Sequence, residues 1–434
     1  MDDLLYARSL MGLSLAFHIV FAAVGVAMPL FMAIAEWRWH RTGDRVFLEL
    51  ARRWAKGTAI LFAVGAVSGT VISFELGLLW PRFMQFAGAL VGMPFSLEGF
   101  AFFTEAIFLG IYLYGWDKVS PRLHLASAVI VAASGAASAF FVTLANAWMN
   151  VPAGFELASG LPTRIDPLVA MFPPGWGREV IHVLLSSYVA TAFIVAAIHA
   201  RALLRTPASR FHRAALAISL SVAAATSMLQ PLSGDVSARG VAVNQPIKLA
   251  ALEGQFATEV GAPLRLGGLP DEDARRTRGA IEIPHGLSLL AFHQWNARVK
   301  GLDDFPRRDW PKVVYVHLAF QIMVACGSLL ALLSLVAAAL RLRGHALPLQ
   351  RWFLGAVALA GPLGFVALEA GWMVTELGRQ PYVVHGALRT SDAVTAVRGL
   401  ALPFWAFTAL YLFLSVAVAV LLRRQLAAPV EEPA

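Results

Sequence analysis

The sequence predicts an all-α membrane protein: a bundle of nine transmembrane helices with the N-terminus outside, the C-terminus in the cytoplasm and a folded outer loop between helices 6 and 7. Three observations support this fold class. The chain has 434 residues, is 58% hydrophobic and has a mean hydropathy of +0.66. Only 14% of its residues are charged, against about 25% in soluble domains. Long apolar stretches alternate with connectors, and basic residues cluster in every second short connector.

A spanning helix needs about 20 mostly apolar residues. The stretches that meet this requirement are 11–35, 57–75, 94–116, 124–147, 180–204, 214–231, 313–340, 352–375 and 400–422. The sixth is short and rich in Ala and Ser, which suits a helix buried among others. The first has no basic segment before it and no small-residue cleavage site after it, so we expect a retained helix rather than a signal peptide.

Basic residues in the connectors predict the orientation. They follow the first, third, fifth, seventh and ninth spans: Arg38, Arg41, Arg45, Arg52, Arg53, Lys56, Lys118, Arg122, Arg201, Arg205, Arg210, Arg213, Arg341, Arg343, Arg351, Arg423 and Arg424. The positive-inside rule places all of these in the cytoplasm. The distribution of the net charge of +8 therefore indicates membrane orientation rather than nucleic acid binding.

The remaining connectors are predicted to lie outside: 76–93, 148–179, 232–312 and 376–399. The third of these has about 80 residues, too many for a linker, and should fold or dock against the membrane surface. The chain accordingly divides into three parts: spans 1–6 in 1–231, the long outer loop in 232–312, and spans 7–9 with a cytoplasmic tail in 313–434.

A few polar or metal-binding side chains lie inside or at the ends of the apolar spans. A charged group in a bilayer costs at least a few kcal/mol, so one that is retained there usually has a function. The residues concerned are His18, Glu98, Glu105, His182, Met323, Glu369 and Glu376. Imidazole, thioether and carboxylate groups together are what haem ligation combined with proton transfer would require.

His18 lies in the first span, His182 near the outer end of the fifth and Met323 in the seventh. A lone buried histidine is often only a hydrogen-bonding group, and a lone methionine is usually core packing. A His/Met pair is nevertheless a known axial ligand set for an electron-transfer haem. Under the predicted orientation, His182 and Met323 both fall in the outer half of the membrane, where they could pair.

Two pairs of carboxylates are each spaced by seven residues: Glu98 with Glu105, and Glu369 with Glu376. This spacing returns to nearly the same helix face, roughly 10 Å further along. Glu98 and Glu105 could form successive stations for protons, or each could be a neutral acid that bonds a neighbouring helix. The sequence alone leaves both interpretations open.

Three further positions follow from the same reasoning. Arg379 comes just after Gly378, at the predicted membrane edge, where it could neutralise haem propionates. Trp372 is either an interfacial anchor or a residue packed between cofactors. The sequence has one cysteine, Cys326, which lies within a span. Because an internal disulfide and a Cys-x-x-Cys-His haem attachment each need two cysteines, both are excluded.

Taken together, these motifs resemble subunit I of the bacterial cytochrome bd quinol oxidases over nearly the whole chain. The segments that carry the resemblance are AFH at 16–18, LEG and TEA around Glu98 and Glu105, GWDK at 115–118, NAWMNVP at 146–152, KLAALE at 248–253, IMVACG at 322–327 and GWMVTELGRQP at 371–381. Each is weak by itself. Their order, together with the nine spans and the outer loop, makes the resemblance specific.

The resemblance implies a subunit that carries three haems, oxidises quinol and reduces dioxygen to water. It implies that His182 and Met323 are the axial ligands of a low-spin haem b, and that His18 and Glu376 are ligands in a pair of high-spin haems. The expected cofactors are two haem b and one haem d, with the third haem open between d and b. Trp372 would lie between the low-spin haem and the pair.

The remaining assignments also follow from the resemblance. Glu98 and Glu105 match carboxylates assigned to haem contact and proton delivery. Lys248 and Glu253, which the residues alone would not single out, match quinol-site residues of the outer loop. The expected partners are quinol, dioxygen, a second large membrane subunit and small single-helix accessory subunits, all at the bacterial cytoplasmic membrane.

This sequence departs from the family pattern in two places. Gln321 stands where many members have arginine, which should lower the potential of the low-spin haem or alter a propionate contact. The outer loop is the short form. Among other functions, a haem-copper oxidase would need more histidines within the spans. A proton-coupled transporter without haem would need inverted repeats and broken helices, which the sequence does not show.

Overall fold

The computed structural model describes residues 3–343, 347, 349–395 and 397–427. Within these residues, helices dominate. The helices are α1 (Asp3–Thr42), α2 (Arg45–Leu79), α3 (Pro81–Tyr114), α4 (Pro121–Asn150), α5 (Pro167–Met171), α6 (Trp176–Arg205), α7 (Arg210–Asn244), α8 (Pro246–Glu253), α9 (Gly286–Phe292), α10 (Val313–Leu342), α11 (Arg351–Ala360), α12 (Leu363–Leu377), α13 (Thr390–Ala393) and α14 (Ala401–Ala427).

Nine segments of the described chain are long and apolar enough to cross a membrane, as the sequence predicts. They are α1, α2, α3, α4, α5 with α6, α7, α10, α11 with α12, and α14. The predicted all-α membrane fold is therefore confirmed. The end of the predicted cytoplasmic tail, after Ala427, lies outside the described residues.

The helices are longer than the predicted apolar spans, and two of the predicted span ends fall at prolines that lie inside a helix. The spans were predicted to start at Pro94 and to end at Pro231, but these prolines lie inside α3 and α7. Proline is tolerated within transmembrane helices because neighbouring groups satisfy the freed backbone. The predicted connector 76–93 is consequently helical except at Trp80, and the first part of the predicted outer loop continues α7 to Asn244.

Local sequence signals fix the helix starts. Asp44 and Ser120 accept hydrogen bonds from backbone N–H groups in the first turns of α2 and α4, which is the usual role of an N-cap. Pro81, Pro121 and Pro246 occupy first-turn positions, where the missing N–H costs nothing. These signals produce the abrupt reversals between consecutive spans.

The spans pack around α1, α4 and α6. α1 packs against α2, α4 and α6, α3 packs against α4, and α6 packs against α7. α10 and α12 pack against each other, and each also contacts the central group, α10 through α7 and α12 through α6. A large apolar core fills the space between α1, α2, α4, α6 and α7, whereas α14 leaves most of its surface exposed.

Three of the connectors predicted to lie outside, 148–179, 232–312 and 376–399, contain short antiparallel strand pairs. These strands are β1 (Glu156–Ala158), β2 (Leu161–Thr163), β3 (Glu259–Val260), β4 (Leu264–Leu266), β5 (Leu269–Asp271), β6 (Arg276–Arg278), β7 (Ile281–Ile283), β8 (Arg298–Val299), β9 (Tyr382–Val384) and β10 (Leu388–Arg389). The pairs are β1 with β2, β3 with β8, β4 with β7, β5 with β6, and β9 with β10. The predicted outer loop is thus a folded element, and α8 packs against α7 and α10.

Candidate functional site

His18 is held in one tautomer by α2. Its Nδ1 lies 3.0 Å from the Ser68 hydroxyl oxygen, and that hydroxyl donates its own hydrogen to the Val64 carbonyl at 2.9 Å. Ser68 must therefore accept from Nδ1–H, which leaves the lone pair on Nε2 free. A Cβ at Gly69 would lie only 3.0 Å from the imidazole ring, so the absence of a side chain there makes room for it.

His182 on α6 is held in the same way by α7. Its Nδ1 lies 2.9 Å from the Ser233 hydroxyl, which donates to the Gln230 carbonyl at 2.8 Å. Nε2 again carries the lone pair, and the Gln230 amide nitrogen lies 3.2 Å from it. The ring also faces a glycine, Gly234, whose Cβ would lie 3.5 Å away.

Met323 on α10 faces α12. A Cβ built on Gly371 would lie 3.2 Å from the Met323 sulfur, so this contact also depends on a glycine. The helices that carry His182 and Met323 share neighbours: α7 packs against both α6 and α10, and α12 does so too. The two side chains therefore belong to the same part of the bundle.

These arrangements fit haem ligation. A histidine that binds a metal almost always donates its other ring N–H to a fixed acceptor, as both His18 and His182 do. Imidazole and thioether are established haem ligands. The glycines opposite all three side chains leave space that a larger residue would fill.

The predicted ligand Glu376 belongs to a charged cluster at the end of α12. Its Oε1 accepts a 2.6 Å hydrogen bond from the Asn146 amide, and its Oε2 accepts one of 2.6 Å from Arg379. The Arg379 side chain is only 1% exposed. Among the described residues, neither Nε nor Nη1 of Arg379 has a partner. Buried donors of this kind suit an anionic group such as a haem propionate.

A hydrogen-bonded chain connects this cluster to α8 in the outer loop. Asn146 accepts a 3.0 Å bond from the Asn150 amide at its side-chain oxygen. Asn150 in turn accepts a 3.1 Å bond from the Lys248 ammonium. Lys248 also donates to the Thr375 carbonyl at 3.4 Å. The loop residue Lys248 is thus linked through two asparagines to Glu376.

Lys248 and Glu253 are both on α8, as expected, and both are 4% exposed. Burial lowers the pKa of Lys248 to about 8. Burial raises the pKa of Glu253 to about 8, with a smaller opposing effect from Arg265. Glu253 Oε2 has no partner within the described structure. The loop therefore contains an acid and a base that both titrate near neutral pH.

Glu98 and Glu105 lie on one side of α3, facing α4. The Ser138 hydroxyl donates to Glu98 Oε1 at 3.1 Å. Glu105 is 5% exposed, and its Oε1 lies 3.4 Å from where a Cβ on Gly135 would stand. Both carboxyls are thus directed into the bundle rather than toward lipid.

Two other predicted residues lie on α12. Trp372 is half-buried and packs at a small apolar cluster formed by Ala23, Ala190 and Leu368 from α1, α6 and α12. Glu369 has a buried oxygen, Oε1, for which the described residues offer no partner. Both side chains are close to the helices that carry the ligand candidates.

Gln321 binds the outer loop. Its amide donates to the Arg265 carbonyl at 3.0 Å and its oxygen accepts from the Gly267 N–H at 3.0 Å. The expectation that its neutral side chain alters the potential of a nearby haem remains a prediction. The contact itself fixes β4 and the following turn against α10.

Some residues of the site were not identified as functional from the sequence. Asn146 and Asn150 were recognised only as part of a motif, because the sequence gives no sign of which groups they bond. His317 was not singled out either: its Nδ1 lies 2.7 Å from the Leu252 carbonyl oxygen and its Nε2 lies 3.1 Å from the Gly267 carbonyl oxygen. It fastens the end of α8 to α10.

Comparisons with known proteins agree with this geometry. Residues 6–430 match the family model described as cytochrome bd terminal oxidase subunit I. A Bacillus subtilis protein named as a cytochrome bd menaquinol oxidase subunit I is 40% identical over 96% of this chain and 95% of its own length. The Escherichia coli cytochrome bd-II ubiquinol oxidase subunit 1 is 29% identical over 89% of this chain and 88% of its own.

A solved structure is also similar. The bd oxidase from Geobacillus thermodenitrificans superimposes with a TM-score of 0.92 and 42% sequence identity, covering 98% of both chains. The family match spans nearly the whole sequence. The chain therefore belongs to the cytochrome bd terminal oxidase subunit I family.

Proposed function

We propose that this subunit oxidises quinol at the outer surface beside α8 and passes the electrons into the bundle, where dioxygen is reduced with protons from the cytoplasm. Membership of the family makes the chain a haem-containing subunit of a terminal quinol oxidase, and not a transporter. The relatives are named for menaquinol in one case and ubiquinol in another. The proposed substrate is therefore a membrane quinol.

The observation that carries this proposal is the hydrogen-bonded chain from Lys248 to Glu376. It connects the loop expected to bind quinol with the carboxylate expected to ligate a high-spin haem. A buried ammonium is costly unless it is paired. Lys248 is retained here with bonds to Asn150 and the Thr375 carbonyl and with favourable electrostatic effects from Glu179 and Glu376, which supports a role in the reaction rather than in folding.

Glu253 is the group proposed to accept the quinol proton. A general base works best when its pKa lies near the operating pH, and burial brings the pKa of Glu253 to about 8. Lys248, positioned by Asn150, would provide a donor for a quinol oxygen. Protons released from quinol would leave to the outside.

The proposed cofactors are two haem b and one haem d, with b as the alternative for the third. His182 and Met323 would hold the low-spin haem b, and His18 and Glu376 would be ligands in the high-spin pair. Bound haem supplies one-electron transfer and an open iron position for dioxygen. Arg379 would neutralise a propionate with its free buried donors, and Trp372 would fill the space between the low-spin haem and the pair.

Protons for water formation are proposed to reach the site through Glu105 and Glu98. Both carboxyls face α4, and the Ser138 hydroxyl already bonds Glu98. Because electrons arrive from the outer side and protons from the cytoplasm, charge would be separated across the membrane without pumping. The second large membrane subunit and the small accessory subunits are proposed to cover exposed helix faces.

The test is Glu105→Leu in the purified oxidase reconstituted into vesicles. Quinol-driven turnover should fall about 100-fold or more, the loss expected when a proton-transfer group is removed, and voltage generation should cease. The matched control is Glu156→Leu, an exposed acid paired with Arg164 in the β1–β2 hairpin. Wild-type turnover and voltage in Glu105→Leu would remove Glu105 from the route.

A further inference from the structure

Two side chains of α10 hold the outer loop against the bundle, and neither has a part in the mechanism above. His317 Nδ1 lies 2.7 Å from the Leu252 carbonyl oxygen in α8, and its Nε2 lies 3.1 Å from the Gly267 carbonyl oxygen. One turn later on α10, the Gln321 amide donates to the Arg265 carbonyl at 3.0 Å, and the Gln321 oxygen accepts from the Gly267 N–H at 3.0 Å. We call these four hydrogen bonds the α10 clip.

The clip fixes the charge of His317. Both ring nitrogens face backbone carbonyl oxygens, which only accept hydrogen bonds, and a neutral imidazole has only one N–H to donate. The doubly protonated imidazolium donates to both carbonyls. His317 is 0% exposed, so these two carbonyls take the place of water around the ring. His317 is therefore a buried cation.

This cation lies at the end of α8 that carries Glu253. Leu252, whose carbonyl accepts from His317, directly precedes Glu253, and a Cβ at Gly254 would lie 3.5 Å from His317 Nδ1. Burial raises the pKa of Glu253, and Arg265 opposes that effect. A second cation nearby acts in the same direction as Arg265, because a positive charge favours the ionised carboxylate. That form is the one that accepts a proton from quinol.

The clip also joins the proposed base to the helix that carries a proposed haem ligand. Met323 follows His317 by six residues on α10, roughly 9 Å of helix rise. Glu253 is on α8, which packs against α10. A quinol that gives its proton to one helix and its electron toward the other depends on how the two are placed. A misplacement of about 1 Å can cost a reaction about 100-fold.

Glutamine suits position 321 better than arginine does in this structure. The Gln321 side chain uses both its donor and its acceptor on the loop. Arginine has five N–H donors and no acceptor, so it would leave the Gly267 N–H without this partner. The departure from the family pattern at position 321 therefore gives the short outer loop one of its attachments to α10.

We propose that the α10 clip positions the outer loop for quinol oxidation: His317, as an imidazolium, and Gln321 hold α8 so that Glu253 meets the bound quinol beside α10. The inference rests on the proposed function, because it concerns the same quinol site. His317 and Gln321 are positioning residues. Both act through Glu253, and neither exchanges a proton or an electron with the quinol.

The test compares His317→Gln with His317→Lys in the complete oxidase. Glutamine has an amide donor but no charge, whereas lysine keeps a positive charge with three donors. We expect His317→Gln to lower kcat/KM for quinol about 10- to 100-fold, with an unchanged haem spectrum and unchanged oxygen consumption from an artificial electron donor. His317→Lys should retain more of the quinol rate. Backbone amide hydrogen exchange in residues 250–267 should become about 10-fold faster in His317→Gln, the effect of losing about one hydrogen bond.

The matched control is His293→Gln, which makes the same change at an exposed histidine of the same loop and should match the unmutated enzyme. Unchanged quinol kinetics in His317→Gln would overturn the proposal. Equal loss of the quinol and artificial-donor rates would also overturn it, because that result indicates misfolding. A quinol rate in His317→Lys no higher than in His317→Gln would refute the imidazolium.

A second variant covers the case in which His317→Gln does not assemble. Gln321→Ala removes the other two bonds of the clip from a half-buried position. It should lower kcat/KM for quinol about 10-fold or more with an unchanged haem spectrum, and normal quinol kinetics there would overturn the proposal. An unmutated oxidase that fails to oxidise quinol would instead refute the proposed function.

Discussion

Replacing Lys248 with methionine separates the functional role of this residue from its effect on folding. Burial lowers the pKa of Lys248 from 10.5 to about 8, which corresponds to about 3 kcal/mol against the charged form in the folded protein. Because the folded-state pKa is the lower one, this cost is present in full below about pH 8 and disappears as the pH rises toward 10.5. Methionine has a similar length and carries no charge.

Lys248→Met should therefore leave the thermal stability at pH 7 unchanged or slightly higher. It also removes the ammonium hydrogen bonds to Asn150 and the Thr375 carbonyl. A hydrogen bond to a charged group contributes about 1.5–3 kcal/mol. Losing such a bond between the Lys248 ammonium and bound quinol should therefore lower quinol oxidation about 10- to 100-fold.

The assay measures oxygen consumption with quinol and with an artificial electron donor, together with the thermal unfolding midpoint. Lys248→Met should lose only the quinol-driven rate. Lys300→Met, at an exposed position of the same loop, should lose neither. A stable Lys248→Met enzyme with a normal quinol rate would refute the reasoning, and a lower unfolding midpoint with loss of both rates would show that the residue is structural.

Two further predictions concern the residues around Lys248. Burial raises the pKa of Glu253 and lowers that of Lys248, each to about 8, so the quinol rate should rise as Glu253 loses its proton and fall as Lys248 loses its own. Glu253→Gln should remove the rising limb of this pH profile, and a rising limb that persists would exclude Glu253. Asn146→Leu removes the 2.6 Å bond to Glu376, worth about 1.5–3 kcal/mol. Reduced-minus-oxidised spectra should show altered high-spin signals with the low-spin signal intact, whereas the exposed control Asn296→Leu should match the unmutated enzyme.

The sequence predicted the number and order of the spans because apolar length is the dominant signal for a membrane helix. The predicted third span begins at Pro94 and the sixth ends at Pro231, but both prolines lie inside helices that extend beyond them. The rule that proline ends a helix is weaker in a membrane, where adjacent helices satisfy the freed groups. The sequence also predicted that the outer loop begins at residue 232, whereas the residues from 232 to Asn244 continue α7.

The site was predictable to the extent that rare side chains in apolar spans attract attention. His18, His182, Met323 and Glu376 were identified in this way, and their roles as ligands stay predictions. The glycines opposite the first three, and the serines that fix the two histidines, are common residue types with no signal of their own. The bond between Asn146 and Glu376 joins residues 230 positions apart, so only the fold reveals it.

The optical spectrum of the reduced oxidase carrying Met323→Leu tests the central claim most directly, namely that His182 and Met323 hold a low-spin haem between α6 and α10. The matched control is Met373→Leu, at a lipid-exposed position of α12 that is 44% exposed. The account predicts that Met323→Leu loses the low-spin haem signal and retains the other haem signals, while Met373→Leu matches the unmutated enzyme. A low-spin signal of normal size in Met323→Leu would contradict it.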